Sequence, residues 1–189
     1  MNYKDYQNAR DATWRILLDC GVNQLPVRTS GLCKALGIKL MEGDIPQDGY
    51  STMVNGVPYI VVNQNLLNTR KRFTVAHELG HIVLGHVGRY ELVNREPDPK
   101  DNPIEQAANV FASRLLAPAC VLWGCEVGSP EDISRLCGIS AQAAAFRWGR
   151  MQELYGRDKF LESPLERLVY DQFSPFISNH RQQASSDQA

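Results

Sequence analysis

The chain has 189 residues, of which 43% are hydrophobic, enough apolar material for one domain with a small appendage. Its 20 basic and 21 acidic residues are evenly spread, so composition disfavours nonspecific binding to nucleic acid or to an anionic membrane surface. The five cysteines, Cys20, Cys33, Cys120, Cys125 and Cys137, are odd in number and sit mostly in apolar segments, as expected of small buried hydrophobes in a reducing compartment. Cys120 and Cys125 have no second pair nearby, which argues against a zinc knuckle. The first ten residues are polar, and no apolar run approaches the ~20 residues that span a bilayer. A cytoplasmic protein without a membrane anchor is expected.

Residues 6–20 carry Ala9, Ala12, Ile16, Leu17 and Cys20 at helical spacing, with Gly21 closing the helix. A second helix is predicted over 26–36, closed by Gly37. Short strands follow at 38–41, 50–54 and 57–63, the last two joined by Asn55-Gly56, a strong hairpin signal. Pro58 places the start of the third strand at an edge or bulge. Asn68 or Thr69 can cap a helix whose patterned part, 73–84, stops near Gly85. Arg70, Lys71 and Arg72 in its first turn oppose the helix dipole, so something besides helix stability is expected to hold them. Residues 88–103, rich in proline, read as a surface loop. Ile104, Ala108, Phe111 and Leu115 line the apolar face of a helix over 104–116 that Pro118 closes. Residues 130–176 are helical in pattern, and 182–189 read as a disordered tail. The domain division expected is 1–118, a core; 119–181, a helical subdomain; and 182–189, the tail.

The predicted helix over 73–84 carries His77-Glu78-Leu79-Gly80-His81, an H-E-x-x-H pattern. Residues four apart on a helix are rotated by about 40°, so both imidazoles project from one face at a separation that one metal ion can bridge. Glu78 stands beside that face, where a general base for hydrolysis belongs. A catalytic zinc site needs a third protein ligand. His86 lies nine residues past His77, rotated by about 180° to the helix's far side, and is better read as a helix C-terminal residue favoured by the dipole. Glu105 is the stronger candidate. It opens the next helix, 24 residues after His81, and shares a face with Asn109, which can accept the free N–H of a ligating imidazole.

Residues 72–86, from Arg72 through the H-E-x-x-H to His86, followed by 105–118, from Glu105-Gln106-Ala107-Ala108-Asn109 to Pro118, resemble the ImmA/IrrE family of metallopeptidases. The resemblance implies an α+β, zincin-like fold, with a small antiparallel sheet packed on the active-site helix and a mainly helical C-terminal part. It implies His77, His81 and Glu105 as metal ligands, Glu78 as catalytic base and Zn2+ as cofactor, although two histidines and a glutamate also suit Mn2+, Fe2+ or Co2+. The family's role implies an endopeptidase that cleaves a helix-turn-helix repressor, its protein partner. The chain has too few residues for the sensor domain of longer members, so it resembles the short type associated with phage or integrative elements. The sequence leaves the donor for the tetrahedral oxyanion open among Tyr50, Tyr59, Tyr90 and His86. The strand at 57–63 is the expected edge for an extended substrate.

Residues 131–151 also have a helix-turn-helix look, with a turn at Gly138 and Ser140 capping the second helix. In the first turns of that helix only Gln142 could read a base edge, while Arg147 and Arg150 could reach phosphate. Direct DNA binding is therefore the lesser alternative, beside a zincin scaffold that acts as a non-catalytic antirepressor.

Overall fold

A computed structural model describes residues 2–87 and 102–186. The chain forms two compact units, one made of residues 1–13 and 28–113, the other of 14–27 and 114–189. This division differs from a linear boundary near 118, because residues 14–27 belong with the C-terminal half. Two of the three boundaries fall inside helices, α1 (Tyr3–Asp19) and α4 (Pro103–Leu116), and the third lies just before the next helix.

The first unit is built on strands β1 (Lys39–Gly43), β2 (Gly49–Val54) and β3 (Val57–Asn63), with α2 (Thr29–Ala35) before them and α3 (Asn68–Val83) after. The strand order is β1-β3-β2, with β2 antiparallel and β1 parallel to β3. The sheet is thus mixed, not antiparallel throughout. The Asn55-Gly56 turn, with φ of 51° and 77°, folds β3 back beside β2, and β3 takes the central place. This overturns the expectation that 57–63 is an edge: among the described residues the edges are β1 and β2. Pro58 is tolerated in a central strand because β1 begins pairing only at Tyr59. At Pro58 only the β2 side is paired, opposite Met53.

Strand alternation turns Ile60 and Val62 inward, both almost fully buried, and α3 presents Val75, Ala76 and Leu79 to the core. Each such buried Ile, Val or Leu side chain contributes roughly 1.5–3 kcal/mol. Helix α3 begins earlier than its pattern, after Leu67, and neither Asn68 nor Thr69 caps it. Its basic first turn is held by partners on the sheet side: Arg70 Nε donates to Asp48 at 2.6 Å and Lys71 Nζ to Glu42 at 2.5 Å. These pairs explain cations at a helix N-terminus better than the dipole does. Asn102 Oδ1 accepts from the backbone N–H of Ile104 and Glu105, fixing the entry into α4.

The second unit holds α5 (Ala119–Gly124), α6 (Pro130–Cys137), α7 (Ala141–Arg157) and α8 (Pro164–Ser186). Its core includes Leu122, Ile133, Met151, Val169 and Phe173. Long polar side chains satisfy helix-end carbonyls: Gln172 Nε2 donates to Leu17 at 2.8 Å and Val22 at 2.7 Å, and Arg181 Nε to Gly124 at 2.6 Å. Helix α8 continues through 182–186, which corrects the reading of that stretch as tail; 187–189 lie outside the described residues, as does 88–101 of the predicted loop. Among the described residues one stretch, Pro103–Gly124, is long and apolar enough by composition to cross a membrane, but its most apolar window is 72% buried inside the protein, so it is no clear membrane span. Its apolarity is that of core helices.

Candidate metal centre

Helix α3 places His77 and His81 one turn apart, with their Nε2 atoms 3.0 Å from each other and their rings at 73°. Glu105, in the first turn of α4, completes the group. Its Oε2 lies 3.2 Å from His77 Nε2 and its Oε1 3.3 Å from His81 Nε2. All three side chains are largely shielded, the most open being Glu105 at 15% exposure. Hydrogen bonds from His77 and then His81 hold the Glu105 carboxyl far below the usual carboxylate range, against the opposing effect of burial.

Two imidazole nitrogens and a carboxylate are the donor set of a hydrolytic zinc site. A tetrahedral ion with ligands at about 2.0–2.1 Å separates neighbouring donors by about 3.3 Å, and the three separations here are 3.0, 3.2 and 3.3 Å. The group fits a metal ion, and it is the group proposed from the sequence. Asn109 also stands where expected, its Oδ1 2.9 Å from His77 Nδ1. With Nε2 turned to the metal position, Nδ1–H donates to that oxygen and the tautomer is fixed.

Three features were not legible beforehand. The first is Gly80, between Glu78 and His81. A Cβ there would lie 3.1 Å from Phe111 Cδ1 and 3.3 Å from Ala108 Cα, so the glycine lets α4 approach α3 closely. That approach brings Glu105 and Asn109 within reach of the histidines. The second is Ser51 on β2, whose Oγ donates to Glu78 Oε2 at 2.8 Å. Glu78 itself is only 2% exposed. No motif marks Ser51, because a serine in a strand is ordinary until the register is known.

The third is His86, which the sequence reading put on the helix's far side. The helix ends at Val83, and Gly85 adopts φ of 72°, a left-handed conformation that glycine enters without strain. Gly85 N–H bonds to Ile82 O at 3.1 Å and His86 N–H to His81 O at 2.8 Å, the paired bonds of a Schellman cap. The chain turns back, and His86 Nδ1 comes 3.1 Å from His81 Nδ1. Burial and then the neighbouring His81 lower the His86 pKa to about 4, against the pull of Glu105. The glycine just past the helix was the available signal.

The other oxyanion candidates fare differently. Ser51 points to Glu78, so its neighbours Tyr50 and Thr52 face the opposite side of the sheet, and Tyr59 pairs with Thr52 on that same side. Tyr50 and Tyr59 are therefore removed from the list, and Tyr90 lies outside the described residues. The expected strand for a substrate also moves: among the described residues the edge strand beside α3 is β2, not β3.

Comparison with known proteins agrees with this geometry. The family model for the IrrE N-terminal-like domain, Peptidase_M78, matches residues 33–149, which include all three donors, Glu78 and Asn109. No curated protein matches the chain.

Proposed function

The chain belongs to the IrrE N-terminal-like, Peptidase_M78, family, and from that premise we propose that it is a zinc-dependent endopeptidase acting on a protein substrate in the cytoplasm. The observation that carries this reading is the pairing of a three-donor group with a buried carboxylate, Glu78, beside it. A purely structural metal site has no use for a base in that position.

His77, His81 and Glu105 would hold the ion, which supplies Lewis acidity for activating water and polarising a peptide carbonyl. Glu78 takes the proton of the attacking water and returns it to the leaving amine. Ser51 steadies the carboxylate through Oε2, and Asn109 keeps the His77 lone pair on Nε2. An extended substrate segment would add to the β2 edge, which carries Ser51 and so runs next to the base. The substrate class that best suits the family resemblance is a helix-turn-helix repressor, whose cleavage would release a mobile element or a stress response.

The test is Glu78→Gln in a reconstituted cleavage assay with the helix-turn-helix repressor encoded beside the gene. The variant is expected to retain Zn2+ while cleavage falls by at least about 100-fold, the lower range for losing a general base. Cleavage at the wild-type rate would overturn the enzymatic reading. Derepression in cells by the inactive variant would favour an antirepressor that acts by binding alone.

A further inference from the structure

The two metal-facing histidines are supported by different residues. His77 gives its Nδ1 to Asn109, an amide oxygen that can only accept. His81 faces His86 through Nδ1 on both rings, at 3.1 Å. Two bare lone pairs at that distance repel and two N–H groups clash, so one proton lies between the rings. If His81 commits Nε2 to a metal, its own proton must sit on Nδ1, and His86 Nδ1 accepts it.

From this geometry we infer that His86 is the positioning residue for His81, holding it in the tautomer that directs the Nε2 lone pair at the metal. The inference rests on the proposed metal centre and deepens it. Three further observations support it. The Schellman cap ties the His86 backbone to the His81 carbonyl at 2.8 Å, so the supporting ring is anchored to the residue it supports. The two rings meet edge to face, with centroids 5.2 Å apart and planes at 66°, an arrangement compatible with a bond between ring edges. The His86 acceptor belongs to an element boundary, whereas Asn109 belongs to α4; the two ligands on α3 are thus fixed from independent elements. His86 is placed outside the donor group, since its Nδ1 is turned to His81 Nδ1 and the three converging donors are His77, His81 and Glu105.

The inference can be tested on the full chain with Zn2+ in competition with a chromophoric chelator. His86→Phe keeps a ring and removes the acceptor; His86→Asn places an amide oxygen near the former Nδ1. The phenylalanine variant is expected to bind Zn2+ about 10–100-fold more weakly than wild type, and the asparagine variant to recover most of that loss. Long-range proton–nitrogen spectra of the zinc-loaded wild type should show His81 protonated on Nδ1. Wild-type affinity in His86→Phe, equal weakness in both variants, or a His81 proton on Nε2 would each overturn the role of His86 while leaving the metal centre intact. A wild-type protein that takes up no Zn2+ would instead overturn the metal centre, and the inference with it.

Discussion

The helix pair α3 and α4 in the first unit and the pair α6 and α7 in the second both carried functional motifs in the sequence, and folding treats their polar residues in opposite ways. Between α3 and α4, the ligand atoms of His77, His81 and Glu105 converge, and each histidine has a partner at its other nitrogen. In α6 and α7 the charged residues serve the fold. Arg147, one of the two cations proposed to reach phosphate, is only 3% exposed and donates from Nε to Ala117 O at 2.8 Å. Arg150 pairs with Glu153 on its own helix. Ser129 and Ser140 cap the two helices by accepting from Asp132 and Ala143. Side chains whose ligand atoms converge on one another mark a site; polar groups spent on backbone ends mark a scaffold. Of the two cations proposed to reach phosphate, Arg147 is thus committed to the fold.

The comparison breaks most sharply at Gly80. Gly80→Val would force α3 and α4 apart, because its side chain would meet Phe111 and Ala108. Chemical denaturation should show a loss of about 1–3 kcal/mol from overpacking, and Zn2+ affinity should fall with it as Glu105 moves away. If the variant keeps wild-type affinity, the close approach is not what assembles the centre. In the sequence this residue was one of the two free positions of H-E-x-x-H. Its role depends on which helix packs against it, and that is tertiary information.

The same limit explains what else was and was not legible. The helices and strands followed from periodicity, and the Asn55-Gly56 hairpin from turn chemistry, because both are local. The sense of pairing between β1 and β3 was not local, and with it went the identity of the free edge. Glu105 and Asn109 were found because their spacing on one helix face is a local property. Ser51 required knowing the sheet register, and His86 required knowing that the chain turns back at the Gly85 cap, which a helix stop near Gly85 does not by itself reveal.

In the second helix pair the expected effects are on stability alone. Arg147→Met removes the donor to Ala117 O and leaves a buried carbonyl short of a partner, a loss of about 1–3 kcal/mol. Urea titration measures it, and Zn2+ affinity should stay unchanged. A large fall in metal binding would contradict the assignment of α7 to the scaffold. Ser140→Ala is the smallest change, expected to destabilise by about 1 kcal/mol through loss of the α7 cap. An unchanged unfolding midpoint would show that this bond contributes nothing.

The central claim is that His77, His81 and Glu105 form one metal centre. Elemental analysis of exhaustively dialysed protein, wild type against Glu105→Ala, tests it most directly. The wild type should retain about one Zn2+ per chain, and Glu105→Ala should lose most of it, since two histidines alone bind weakly. A metal-free wild type, or a Glu105→Ala variant with full metal content, would contradict the claim.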